Sequence, residues 1–147
     1  MHNYRHVLFA TDLGDDSATI GARSMDLARR YEARLTVLHV VEIAPLELTQ
    51  EVIVSQMTAL EDELKQRAET HLETLAQSLG LSPDSAQVKV GSPRYEIVNY
   101  AAENGVDLII LGKHSRKGFA RLLGSTAESV VRHTACDVLT VALPRAS

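Results

Sequence analysis

Short apolar runs alternate along the chain with segments of helical periodicity. Four of the runs are brief, rich in β-branched residues and nearly continuous, which is typical of parallel strands covered on both faces. They are Val7–Ala10, Leu35–Val41, Val106–Leu111 and Val138–Leu143. A fifth run, Ala86–Val90, alternates polar and apolar residues. This alternation predicts a strand with one face partly wet, and therefore a place at the edge of the sheet.

Between these runs, apolar residues recur every three or four positions, as they do on one face of a helix. The longest such segment, residues 57–79, is followed by Gly80, which predicts a glycine C-cap. Ser92-Pro93 supplies an N-cap and a first-turn proline for a shorter helix. The last helix is predicted to open at Gly124-Ser125-Thr126.

Strict alternation of five strands and four helices predicts an α/β fold with a doubly wound parallel sheet. Right-handed crossovers then place helices on both faces of the sheet. The chain has 147 residues, close to the size of one typical domain, so we expect a single domain over residues 1–147.

Composition and charge exclude several classes of protein. The net charge of -4 argues against a general nucleic-acid binder, because phosphate contacts need a basic surface. One cysteine, Cys136, excludes an internal disulfide framework. No apolar run reaches the length of about 20 residues that spans a bilayer, and no signal peptide is evident. We therefore expect a cytoplasmic protein with no membrane partner.

Ligands of open α/β sheets bind beyond the carboxyl ends of the strands, where the strand order reverses. The loops after Val7–Ala10 and Val106–Leu111 are expected to flank that crevice. Asp12 follows the first strand directly, so its carboxylate suits a ribose hydroxyl or an adenine amine, both of which donate hydrogen bonds. Asp15, Asp16 and Ser17 come later in this loop, and we interpret them as residues that cap the next helix.

The second loop, residues 112–126, carries three glycines and four Lys or Arg side chains in an otherwise acidic chain. Backbone amides at the start of a helix, with hydroxyls beside them, form an anion site. Gly124, Ser125 and Thr126 are therefore candidate phosphate ligands. The alternative is a solvated loop in which Ser125 or Thr126 is an ordinary N-cap.

In order and spacing, these segments together resemble the universal stress protein family over nearly the whole chain. The matching pieces are His6–Asp12, Leu38–Val41, Gly91–Pro93, Val106–Gly112 and Leu123–Val141. The resemblance implies an open parallel five-stranded sheet in the order 3-2-1-4-5, of the Rossmann-like, adenine nucleotide alpha hydrolase-like kind. It also implies a cytoplasmic stress-response role, a homodimer paired through the last strand (Val138–Val141) and no settled enzymatic reaction.

In members that bind nucleotide, ATP contacts the acid after strand one, the residue that ends strand two and the loop after strand four. Mg²⁺ is expected only together with the nucleotide. Carried over to this chain, with their immediate neighbours, the candidate nucleotide-binding residues are Ala10, Asp12, Val41, Gly112, Ser115, Gly124, Ser125 and Thr126.

The loop after strand four departs from the nucleotide-binding pattern. Ser115 stands where those members carry a second glycine, and the eight residues from Arg116 to Leu123 make the loop one residue shorter. Only glycine tolerates some backbone conformations and a close approach to phosphate. The alternative is thus a dimeric stress protein that binds no ATP and acts through protein–protein contacts. A weak ATPase ranks last, since neither a general base nor a histidine or cysteine pattern for a metal is evident.

Overall fold

The computed structural model describes residues 3–42, 51–113 and 120–143, and side chains within them except those of residues 51–56 and 120–124. The elements are β1 (His6–Ala10), α1 (Ser17–Arg30), β2 (Arg34–Val41), α2 (Glu51–Ser78), a 3-10 turn (Pro83–Ser85), β3 (Ala86–Val90), α3 (Pro93–Glu103), β4 (Leu108–Gly112), α4 (Ala120–His133) and β5 (Asp137–Val141). All strand pairs are parallel, in the order β3-β2-β1-β4-β5. The predicted fold class is confirmed.

The central strand β1 is buried along its whole length and divides the core into two layers. Its alternate side chains point to opposite faces, as the pleat requires. Val7 and Phe9 pack with buried residues of α1 and α2. Leu8 and Ala10 pack with buried residues of α3 and α4. Two helices therefore cover each face of the sheet.

Three helices end in the same way, with a residue at positive φ followed by a bond from the next amide to the last turn. The positive-φ residues are Glu32 after α1 (φ 54°), Gly80 after α2 (φ 77°) and Gly105 after α3 (φ 66°). The amide of the following residue donates to a carbonyl five positions back, for example Leu81 N–H to the Ala76 oxygen at 2.9 Å. This is the Schellman arrangement, and it confirms Gly80 as the cap of α2.

Some predicted boundaries are wrong, and local hydrogen bonds explain one of them. Val106 was expected in the fourth strand, but its N–H donates to the Ala101 oxygen at 3.0 Å and closes the end of α3. The strand therefore begins at Leu108. Ser92 is the N-cap of α3 as predicted and Pro93 is its first residue, although the Ser92 hydroxyl makes no capping bond.

The two edge strands differ in how they are covered. In β3, four of the five residues are partly buried and one is exposed, as the polar alternation predicts. In β5, only Val141 is fully buried, and Leu139 is 38% exposed. Within the described residues, no helix is long and apolar enough to cross a membrane.

Candidate functional site

A small pocket lies at the carboxyl edge of the sheet, between the ends of β1 and β4 and the helices α1 and α4. Its volume is about 40 Å³, which is room for little more than one water molecule. The lining residues are Phe9, Ala10, Thr11, Asp12, Asp16, Ser17, Ile20, Leu111, Gly112, Thr126 and Ala127. The pocket therefore occupies the crevice that the sequence predicts between the loops after the first and fourth strands.

The loop from β1 to α1 is held by its own side chains. Thr11 and Ser17 are both buried, and their hydroxyl oxygens lie 2.6 Å apart. The Thr11 Oγ1 atom also accepts the N–H of Leu13 at 3.0 Å. Leu13 has a φ of 60°, a left-handed conformation that costs a residue with a Cβ about 1–2 kcal/mol. The hydroxyl bonds thus stabilise a strained turn beside the pocket.

Asp12 is half-buried in this turn, and its two carboxylate oxygens have different surroundings. Oδ1 accepts the N–H of Gly14 at 2.8 Å, which closes an Asx turn. Oδ2 is buried and has no hydrogen-bond partner among the described residues. A buried carboxylate oxygen without a donor is costly. Since Asp12 lines the pocket, its chemistry suits a ligand that brings an O–H or N–H group.

His39, near the end of β2, supports the same loop from the neighbouring strand. Its Nδ1 atom lies 2.8 Å from the carbonyl oxygen of Thr11. The half-buried imidazole belongs to the packed, hydrogen-bonded class that its place in an apolar strand predicts. Its contact with the pocket loop, however, joins residues 28 positions apart in the chain, so no local sequence pattern predicts it.

The structure brings four of the predicted site residues to the pocket: Ala10, Asp12, Gly112 and Thr126. Val41 is not among the lining residues. It is buried at the end of β2, where its carbonyl oxygen accepts the N–H of Gly91 at 3.0 Å. Ser115 lies outside the described residues.

The predicted helix start at Gly124 is wrong. Because α4 begins at Ala120, Gly124, Ser125 and Thr126 lie in its second turn. Amides at that depth in a helix donate to carbonyl oxygens four residues back. The expectation of open amides at Gly124 for a phosphate is therefore wrong, and Thr126 reaches the pocket through its position on the helix. Ser125 is exposed.

Ser17 corrects the capping interpretation of the first loop. Asp16 is the N-cap of α1, but it makes no side-chain capping bond. Ser17, the first residue of α1, is buried and bonds to Thr11 instead of to the backbone of its own helix. A hydroxyl on each side of an acidic turn is the sequence signal for this pairing, but the pattern alone does not distinguish it from an N-cap.

Among the described residues, no group of three His, Cys, Asp or Glu side chains lies close enough together to hold a metal ion. The polar side chains that line the pocket are two carboxylates, Asp12 and Asp16, and the hydroxyls of Thr11, Ser17 and Thr126. Carboxylate oxygens accept hydrogen bonds and hydroxyls both donate and accept them, so this lining suits an organic ligand with hydroxyl or amine groups.

Comparison with known proteins identifies the family. The model of the universal stress protein family matches residues 3–142. Universal stress protein A homolog 2 of Coxiella burnetii is 34% identical over 142 residues, which cover 96% of this chain and 97% of that protein. The chain belongs to the universal stress protein family. The resemblance drawn from the sequence is confirmed.

Solved structures of universal stress proteins share the fold. Universal stress protein UspA from Lactobacillus plantarum superposes with a TM-score of 0.80 at 24% identity, over 96% of this chain and 99% of that one. A universal stress protein in complex with cAMP is 26% identical, with a TM-score of 0.62 over 95% of this chain and 98% of that one. At least one universal stress protein of this fold has thus been crystallised with an adenine nucleotide.

Proposed function

We propose that this universal stress protein is a binding module that holds an adenine nucleotide, with ATP as the first candidate, at the carboxyl edge of β1 and β4. The observation that carries the proposal is the carboxylate of Asp12: this residue lines the pocket, and its buried Oδ2 atom has no hydrogen-bond donor among the described residues. A ribose hydroxyl or the adenine amine supplies that donor. The cAMP complex of a relative with the same fold supports this class of ligand.

The size of the pocket limits which part of the ligand it accommodates. Ligand pockets usually measure about 300–1,000 Å³, whereas this pocket, as its described residues enclose it, measures about 40 Å³. It therefore holds the group that contacts Asp12, while the rest of a nucleotide extends beyond it. Lys113 follows Gly112 directly and is exposed, so a positive charge lies at the end of β4 for the phosphates. Mg²⁺ enters with the nucleotide.

Replacement of Asp12 by Asn tests the role of the Oδ2 atom. The amide oxygen of Asn keeps the bond from the Gly14 N–H, and its NH₂ group takes the place of Oδ2. The reverse orientation is disfavoured because it sets two donors against each other. We expect Asp12→Asn to weaken ATP binding at least about tenfold, the range for loss of a hydrogen bond to a charged group.

Asp15→Asn is the matched control, since Asp15 is exposed on the same loop and the change in charge is identical. The measurement is titration calorimetry with ATP and Mg²⁺, after any nucleotide released by denatured protein has been identified. Equal affinities for the two variants would contradict the role of Asp12. If fresh protein yields no nucleotide and millimolar ATP gives no heat, the proposed ligand is wrong.

The second candidate function, a dimeric stress protein that acts through protein contacts, is favoured by the exposed edge of β5. The Val141 carbonyl oxygen accepts the Lys113 N–H at 2.8 Å. Because the peptide groups of a strand alternate in direction, Val138 and Thr140 turn theirs toward the open edge. An open, largely aliphatic edge readily pairs with a copy of itself. We propose this edge as the homodimer interface.

Thr140→Pro tests the dimer, because proline removes an outward N–H and leaves the bonds to β4 in place. Thr140→Val is the control. Sedimentation is expected to give a dimer for the wild type and the Val variant, and a monomer for the Pro variant. A monomeric wild type, or a Pro variant that stays dimeric, would exclude this interface. The cytoplasmic location and the lack of enzymatic activity remain predictions.

A further inference from the structure

His39 lies at the point where β1 leaves the sheet. The N–H of Thr11 donates to the Leu38 oxygen at 2.8 Å and continues the pairing of β1 with β2 by one residue. The carbonyl oxygen of Thr11 then meets the imidazole, with Nδ1 of His39 at 2.8 Å. A carbonyl oxygen only accepts hydrogen bonds, so Nδ1 carries the proton. The peptide group between Thr11 and Asp12 is thus held from β2 by a side chain.

Apart from the Thr11 N–H bond that continues the β1–β2 pairing, the other hydrogen bonds of the turn among the described residues join parts of the β1–α1 segment to one another. Thr11 Oγ1 binds the Leu13 amide and the Ser17 hydroxyl, and Asp12 Oδ1 binds the Gly14 amide. Such bonds set the internal shape of the turn. They do not fix its orientation relative to the sheet, whereas a bond to the carbonyl oxygen that precedes Asp12 does.

We infer that His39 is a positioning residue, which holds the Thr11–Asp12 peptide and so sets the position of the Asp12 carboxylate beside the pocket. The consequence for nucleotide affinity rests on the proposed function. The consequence for the turn itself does not, since the contact that carries it joins two described residues of this chain. The two consequences are therefore measured separately.

Two substitutions of His39 distinguish the effect of its hydrogen bond from the effect of its side-chain volume. In His39→Asn, the amide nitrogen takes nearly the place of Nδ1 and can donate to the Thr11 oxygen. In His39→Leu, an apolar side chain fills much of the same space on a strand and donates nothing. Hydrogen exchange of the Leu13 and Gly14 amides, followed by NMR without ligand, reports on the turn. The Val37 amide, in the buried part of β2, is the internal reference.

We expect His39→Leu to accelerate amide exchange at Leu13 and Gly14 at least about tenfold relative to Val37. This is the size of effect expected when a buried carbonyl oxygen loses its hydrogen-bond donor. The same variant is expected to weaken ATP binding about tenfold in calorimetry, while His39→Asn stays within about threefold of the wild type in both measurements. Equal exchange in the Leu and Asn variants would overturn the positioning role.

The remaining outcomes distinguish this inference from the proposed function. If the wild type binds ATP and His39→Leu binds it equally well, His39 does not position Asp12, whereas the proposed nucleotide site is retained. If the wild type binds no nucleotide while the exchange rates follow the expected pattern, the positioning of the turn stands and the proposed ligand is wrong.

Discussion

The stability of the protein is expected to fall in mild acid because of His6, a histidine at the amino edge of the sheet that is only 4% exposed. Its Nε2 atom lies 2.8 Å from the Thr36 hydroxyl, and its Nδ1 atom lies 3.0 Å from the Asn104 carbonyl oxygen and 3.0 Å from the Arg34 guanidinium. Burial lowers the pKa of His6, and the charge of Arg34 lowers it further.

Two other contacts at the amino edge of the sheet raise the pKa of His6. The backbone oxygen of Asn104 and the carboxylate of Asp107 both favour a protonated ring. Asp107 also accepts the N–H groups of Arg5 and His6. Because burial is the largest of these effects, the net shift in the pKa of His6 is downward.

The direction of the pH dependence follows from the lowered pKa of His6. In an unfolded chain histidine is protonated at about pH 6.5, whereas the folded His6 ring is protonated only at lower pH. The contribution of His6 to the free energy of unfolding is therefore fully present above about pH 6.5, and it is lost as the pH falls toward the pKa of His6 in the folded protein. The loss has a limiting slope of about 1.4 kcal/mol per pH unit between those two values.

Urea unfolding of the wild type and His6→Gln, followed by circular dichroism from about pH 7.5 to 5.5, measures this effect. Glutamine does not titrate and its amide can still reach the Thr36 hydroxyl. The free energy of unfolding of the wild type should fall relative to His6→Gln below about pH 6.5. His71→Gln, at an exposed histidine, should track the wild type. Parallel profiles for the wild type and His6→Gln would refute the reasoning.

Three further predictions concern packing, a helix end and a phenol. Leu38→Ala should lower the free energy of unfolding by about 2–5 kcal/mol, because Leu38 is 0% exposed. The control Leu60→Ala, at a position 44% exposed, should lower it by less than about 1 kcal/mol. Similar losses for the two variants in urea unfolding would contradict the assignment of Leu38 to the core. Glu32→Gly should stabilise the protein by about 1 kcal/mol, because Glu32 holds a φ of 54°, and a lower melting temperature would count against strain there. Asp137→Asn should lower the pKa of Tyr4 from about 12 toward its ordinary value, because the hydrogen bond to Asp137 is the main cause of the shift; an unchanged ultraviolet titration would exclude that cause.

Much of the fold was predictable from local pattern. The runs Val7–Ala10 and Leu35–Val41 are apolar at nearly every position, and a strand covered on both faces requires that pattern. Polar residues within Ala86–Val90 placed it at an edge, where the structure has it. Gly80 marked the end of α2 because a left-handed cap favours glycine. Such signals depend on a residue and its close neighbours in the chain.

Features that depend on competing local patterns were less predictable. Gly124-Ser125-Thr126 has the composition of a helix start, yet α4 begins at Ala120. Ser17 has the position of a helix cap, yet its hydroxyl is buried against Thr11. In both cases the residues suit two roles equally well. Their surroundings in the folded protein decide which role they take.

Local sequence pattern was enough to predict the order of strands and helices along the chain, the place of the crevice and the acid that follows the first strand. The tertiary structure, by contrast, bonds one oxygen of Asp12 to Gly14 and leaves the other buried with no donor among the described residues. It also decided that His39 supports the same turn from 28 residues away. Periodicity and turn chemistry are encoded in neighbouring residues, whereas burial and pairing of a polar atom depend on segments that meet only when the sheet has formed.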